Sequence, residues 1–387
     1  MAKNSIILKA CLLLCLGSGG LRAQDRKIIE VADELPCSAA PSVFIGNIVR
    51  RVTVRTTHEN KVRLVTTVAY EGNCQLDNED WLKKLELKVS ENTGYIHVKC
   101  GNMEPMSDWD AASFPSPKTF STPSGRPHRT PDLPQRQTLK DLTPSGTVVF
   151  DSDGRWLYKK GNIRRDIILY VPMGSRLDID SRYSEVILDS NITEVNARIT
   201  SGGLTMKDAG RLVLNSSYGS VYASNIGHAE ITINHGWFHA RDISTLEMNS
   251  KVSTVELGVI REIKITSNDD QYEIDEAGVI SGGKNYGSLR IIDLKNSLDL
   301  VGVNADIKVH NIDPGVAIVK IDDRYADLRL PVNNLKNYTV NFEGKGSNLY
   351  TPFERVHATD SSFKVTAGNG KKNSFLLKCS NCTLDMK

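Results

Sequence analysis

From Arg176 to Val332 the chain returns about every 17 residues to one short phrase: a strand, a turn on a tyrosine or small residue, and a second strand. The phrase is plainest at Arg182-Tyr183-Ser184-Glu185-Val186, Ser217-Tyr218-Gly219-Ser220-Val221, Lys251-Val252-Ser253-Thr254-Val255, Asn285-Tyr286-Gly287-Ser288-Leu289 and Arg324-Tyr325-Ala326-Asp327-Leu328. Weaker copies, read as starting at Ser201, His235, Gln271 and Asn304, keep the interval near 17 or 18 residues. A fixed period of this length predicts a stack of like units, each packed on its neighbours. Such a stack offers a long surface rather than a deep cleft, so the repeat constrains function together with fold.

Each unit is too short for a helix and two strands, and its apolar residues alternate. Arg211-Leu212-Val213-Leu214, Ala229-Glu230-Ile231-Thr232-Ile233 and Glu262-Ile263-Lys264-Ile265 put aliphatic side chains at every second position, the period of a half-buried strand. Gly, Asn, Asp and Ser gather at the turns. These features predict an all-β chain, a β-solenoid of roughly 17-residue repeats with a small β-rich N-terminal region. About nine units at ~4.8 Å spacing give a rod ~40 Å long. A set of antiparallel meanders has the same local pattern and stays open as the alternative.

The charge balance argues against a nucleic-acid partner: 48 basic and 46 acidic residues are interspersed and leave a net charge of +2. With only 6% aromatic residues, the strands are filled by Val, Ile and Leu, and no cofactor is expected. Lys3 and Lys9 around an apolar run ending near Leu16, then Gly17-Ser18-Gly19-Gly20 and a cleavage position after Ala23, read as a secretory signal peptide over 1–23. A lipoprotein signal at Cys11 or Cys15 is the weaker alternative, because Leu14 and Lys9 sit where small residues are preferred. No segment reaches the ~20 apolar residues of a transmembrane span. The chain is therefore expected to be exported, to the periplasm, the outer-membrane surface or the extracellular space. Export leaves Cys37, Cys74, Cys100, Cys379 and Cys382. Cys74 with Cys100, and Cys379 with Cys382, are the candidate disulfides, leaving Cys37 unpaired. Cys379-Ser380-Asn381-Cys382 has redox spacing but lies in a strand, without the helix that lowers a thiol pKa.

Residues 24–102 alternate in the strand manner, with Glu79 to Lys84 as a turn or short helical bend, and are expected to cap the stack. Residues 103–146 hold eight of the chain's 14 prolines, from Pro105 to Pro144, and read as a linker or insertion. The repeats occupy 147–332, and the looser strands of 333–387 form a C-terminal cap.

At Asp166-Ile-Ile-Leu-Tyr-Val-Pro172, running on through Met-Gly-Ser-Arg-Leu-Asp-Ile-Asp-Ser-Arg-Tyr-Ser-Glu to Val186, the chain resembles a bacterial family of secreted β-strand-repeat proteins grouped as putative adhesins. That family is itself similar to the head domains of auto-transporter adhesins. A strand ending in Val-Pro leads into copies of a short strand, a Tyr-Gly or Ser-Gly turn and another strand. The match covers about Val148 to Phe353. The resemblance implies an exported β-solenoid and carries no catalytic residues. The proline-rich stretch is longer than the family pattern.

Chemistry was sought residue by residue. Asp269-Asp270 and Asp322-Asp323 are the candidate carboxylate pairs for glycoside hydrolysis, which needs two carboxyls ~5–10 Å apart across a groove. Aspartates in polar turns are the simpler reading. His228, His235 and His239 cluster in sequence, but at strand spacing two of them stand ~13 Å apart, and no metal is expected. Tyr183, Tyr218, Tyr286 and Tyr325 hold equivalent turn positions. The expectation is that they fold inward to fill turn corners; an outward aromatic ladder that binds a sugar or a protein is the alternative. The sequence thus reads as a non-enzymatic, exported solenoid that presents an extended surface to a protein or glycan ligand. A periplasmic structural or signalling component comes second, and a polysaccharide-active enzyme a distant third.

Overall fold

The structure is a computed structural model and describes residues 26–48, 51–71, 76–101, 167–353, 362–370 and 372–387. The signal peptide and the proline-rich segment lie outside the described residues, as does Cys74. The described chain is nearly all β. One helix and 23 strands are present, the strands joined in a single sheet that curls into a nearly closed, barrel-like form.

The N-terminal strands are β1 (Arg26–Pro36), β2 (Ser42–Ile48), β3 (Val52–Thr57) and β4 (Lys61–Glu71), followed by α1 (Asn78–Leu85), β5 (Leu87–Asn92) and β6 (Tyr95–Cys100). The bend expected near Glu79 is this helix. Asp77 caps it through Asp80 in a capping box, and Glu86 ends it with a left-handed backbone. Its apolar face is Trp81 and Leu85, both buried.

The central strands are β7 (Ile167–Pro172), β8 (Arg176–Arg182), β9 (Glu185–Leu188), β10 (Ile192–Thr200), β11 (Gly203–Met206), β12 (Ala209–Ser217), β13 (Ser220–Asn234), β14 (Trp237–Lys251) and β15 (Thr254–Val303). Their pairing is parallel and follows the sequence period. Val195 lies beside Leu212, Leu212 beside Ala229, Ala229 beside Leu246 and Leu246 beside Ile263, each step being 17 residues. Each unit, here a rung, has a longer strand, a corner and a shorter strand, so that Leu204, Val221, Phe238 and Val255 form a second inward column. Alternate burial along every strand follows from the pleat.

The corner between the two strands has one signature. A residue with positive φ occurs at 183, 201, 218, 235, 252, 269, 286, 304, 325 and 381. The corner of the copy read as starting at Gln271 is therefore Asp269, and Tyr272 is an inward strand residue in the Val255 column.

The lead-in is not a separate cap. β2 pairs in parallel with β8 and β3 with β9, while β6 and β7 pair with the outer edges of β2 and β3. The segment Ser42–Thr57 is thus threaded between β6–β7 and β8–β9. Antiparallel pairings of β5 with β6 and of β1 with β4 and β4 with β7 close that end. At the other end come β16 (Asp306–Ile312), β17 (Ile318–Arg324), β18 (Asp327–Arg329), β19 (Tyr338–Glu343), β20 (Asn348–Tyr350), β21 (Ser362–Ala367), β22 (Asn373–Ser380) and β23 (Thr383–Asp385). Here β22–β23 is threaded between β17–β18 and β19–β20, and β21 closes the edge antiparallel to β19. Covering both ends removes the open strand edges that invite association.

Candidate functional site

The corner edge is the most exposed chemistry of the repeats. The left-handed backbone turns the corner side chain away from the core, so Tyr183, Tyr218, Tyr286 and Tyr325 are 50%, 62%, 48% and 60% exposed. The expectation that these rings fill the corners from inside is corrected: the next residue does that, and in this column it is small at Ser184, Gly219, Gly287 and Ala326. Tyr218 lies face to face with His235 of the following rung, ring centroids 5.0 Å apart and planes 19° apart.

A second aromatic group lies on the outer face of the shorter strands, one column from that corner. Tyr222 meets Trp237 edge-on at 4.2 Å, and His239 stacks on Trp237 at 5.7 Å. His239 Nδ1 faces Glu256 at 3.5 Å. Burial, then Glu256 and Glu185, push the Tyr222 phenol above its ordinary range. His228 instead lies on a longer strand, beside Thr245 Oγ1 at 2.7 Å and Glu230 at 3.3 Å. The three histidines therefore do not converge. Among the described residues no group of three His, Cys, Asp or Glu is placed to hold a metal.

The carboxylate pairs split across the wall. Asp269 and Asp322 are exposed, whereas Asp270 and Asp323 are buried at 0% and 2% exposure. Neither pair faces one groove. Asp322-Asp323 lies within β17 rather than in a turn, and alternation along the strand separates the two side chains.

Asp270 anchors a polar cluster inside the core that the sequence reading missed. Its carboxylate accepts from Ser250 Oγ (2.8 Å), Ser267 Oγ (2.6 Å), the Ser253 amide (2.7 Å) and the Asn268 amide (2.9 Å). Ser250 Oγ also bonds the Tyr272 hydroxyl. Lys284, 1% exposed, donates to the Asp270 carbonyl (2.7 Å) and to Ser267 Oγ (3.2 Å), with its ammonium 5.2 Å from the Tyr272 ring centre. Burial holds the lysine down to about 8, with Asp270 and Asp269 opposing, and burial raises the Tyr272 phenol. Burial also raises Asp323 to about 6 against the pull of the Arg324, Ala305 and Asn304 amides. The sequence signal for the lysine is the glycine on either side. Gly282 has φ +122°, and a Cβ at Gly302 would come 2.1 Å from the Lys284 carbonyl oxygen.

Cys379 and Cys382 are disulfide-bonded across the corner at Asn381, which joins β22 to β23. Cys100 is buried, and its candidate partner Cys74 is outside the described residues. Cys37 is a half-buried free thiol, raised by burial.

Fold and site together define a nearly all-β chain of parallel repeats with an exposed aromatic edge. No protein-family model matches the chain, and no curated protein does. Among solved structures it is similar to a protein of Clostridium sporogenes described as a putative cell adhesion protein, at 10% identity and a TM-score of 0.18, over 93% of this chain and 99% of that one. So slight a likeness carries no argument about fold or function. Among the described residues no helix is long and apolar enough to cross a membrane.

Proposed function

We propose that the chain is an exported β-solenoid without enzymatic activity, presenting an extended surface for adhesion or for contact within the cell envelope. The observation that carries this reading is the unbroken 17-residue parallel register, which sets corner side chains in a row along one edge while apolar columns fill the interior. A row of repeated side chains suits distributed contacts, each weak and together adequate. The division of both aspartate pairs between core and surface supports a binding rather than a hydrolytic role.

Protease shaving of intact cells that express the protein tests the location. Peptides from the exposed corners released by whole cells are the expected result. Protection until the outer envelope is opened would overturn surface presentation and favour a periplasmic spacer, and glycan turnover by the purified chain would overturn the non-enzymatic reading.

A further inference from the structure

We infer that the corner edge carries two equivalent slots for a neutral pyranose ring, one formed by Tyr183, Ser201 and Tyr218 and the other by Tyr286, Asn304 and Tyr325. The inference deepens the surface-presenting reading and rests on it for biological context only.

The first argument is conformational. All four tyrosines have φ between 55° and 62°, a backbone that disfavours a side chain bearing a Cβ and that Asn, Asp or Gly adopts most readily. Asp269, Asn304 and Asn381 fill other corners of the same edge in that ordinary way. Burial does not offset the cost at the tyrosines, since each ring is about half exposed or more. An unfavourable backbone retained for an exposed aromatic points to use of the ring.

The second argument is spacing. The contact of Tyr218 with His235 one rung away shows that its ring lies across the stack, one face covered and the other turned toward Ser201 and, beyond it, Tyr183. Two rungs separate Tyr183 from Tyr218 by ~10 Å. That gap holds one puckered ring with its C–H faces against both phenols, and is wide for a flat aromatic group. The floor is Ser201-Gly202-Gly203, where a Cβ at Gly203 would meet no atom closer than 3.6 Å, so the slot is open on that side. In the second slot Asn304 takes the place of Ser201 between Tyr286 and Tyr325. A hydroxyl and a carboxamide suit the hydroxyls of a neutral sugar, and neither floor residue is charged. The two floors are six rungs, ~29 Å, apart, so a glycan that reaches both gains from effective concentration.

Titration of the full chain with cellohexaose, chitohexaose and mannohexaose, followed by calorimetry, tests the slots. Saturable binding of at least one hexasaccharide is expected, weakened about tenfold or more in Tyr218→Ala/Tyr325→Ala with an unchanged circular dichroism spectrum. Tyr218→Gly/Tyr325→Gly provides the control for folding: relief of the corner backbone raises the thermal midpoint while binding is lost. Failure of all three sugars to bind, or undiminished binding by both double variants, overturns the proposal. Shaving of cells separates the two ideas. Exposure without sugar binding removes the slots and leaves surface presentation, whereas tyrosine-dependent binding by a chain protected in intact cells does the reverse.

Discussion

Replacement of Asp270 by Ala removes the acceptor of four hydrogen bonds from the middle of the stack. The two serine hydroxyls can turn to other partners, Ser250 to Tyr272 and Ser267 to a carbonyl. The amides of Ser253 and Asn268 are fixed by the backbone, and each buried donor left unpaired costs about 1–3 kcal/mol. Lys284 loses the buried carboxylate that opposes its desolvation, a further cost of a kind that reaches roughly 3–5 kcal/mol when a buried charge is left alone. Allowing for overlap and for water entry, the expected loss is about 4–5 kcal/mol, a large share of the roughly 5–15 kcal/mol that holds a typical domain together. Because each rung packs only on its neighbours, the loss falls on the rungs around Thr254–Leu289 and uncouples the two halves of the stack. Urea unfolding followed by circular dichroism then shows a lower midpoint and a split transition. Adding Lys284→Met recovers part of the loss, since no unpaired charge remains. A single transition within about 1 kcal/mol of the wild type would refute the reasoning, because unpaired amides and a buried ammonium cost at least that much.

Three further outcomes follow from the same interior. The folded pKa of Lys284, about 8, lies below the ordinary lysine value, so the unfolded chain binds the extra proton and stability rises as pH climbs from about 8 to 10, by up to ~3 kcal/mol; chemical denaturation across that range shows the rise, and Lys284→Met abolishes it. Asp323 titrates near 6 when folded, above the carboxylate range, so the stability it contributes is complete below about pH 4 and lost as pH passes through 6; Asp323→Asn flattens that slope in melts taken between pH 4 and 7. Replacing both Cys379 and Cys382 with Ser opens a bridge that closes only a short loop, and the expected cost is roughly 2 kcal/mol by the chain-entropy model. Hydrogen exchange should show that loss first in β22 and β23, and global unfolding with no prior loosening there would refute the local assignment.

The repeats were legible because alternation and corner chemistry are both local. Leu212, Leu214, Ile263 and Ile265 point inward as their parity requires. The phase slipped at Asp269, where Tyr272 resembles the turn tyrosines but occupies an inward position. The direction of Tyr183 and its counterparts was not legible, because a left-handed residue interrupts the alternation and parity cannot be counted through it. Nor was Lys284 recognisable as a core residue from polarity; its burial depends on carbonyl and hydroxyl oxygens supplied by Asp270 and Ser267, more than ten residues away.

By itself the sequence determined the unit: a strand, a corner and a strand, repeated at an interval that brings like residues into columns. Which units are neighbours at the two ends was decided only by tertiary structure. Ser42–Thr57 enters between β6–β7 and β8–β9, and β22–β23 between β17–β18 and β19–β20, through pairings such as Val43 with Leu177 and Val319 with Phe375. Parallel strand pairing joins backbones without regard to their separation along the chain, and every apolar strand offers nearly the same edge. The order is therefore fixed by which ends are covered and which columns fill, quantities that exist only once the whole stack has formed.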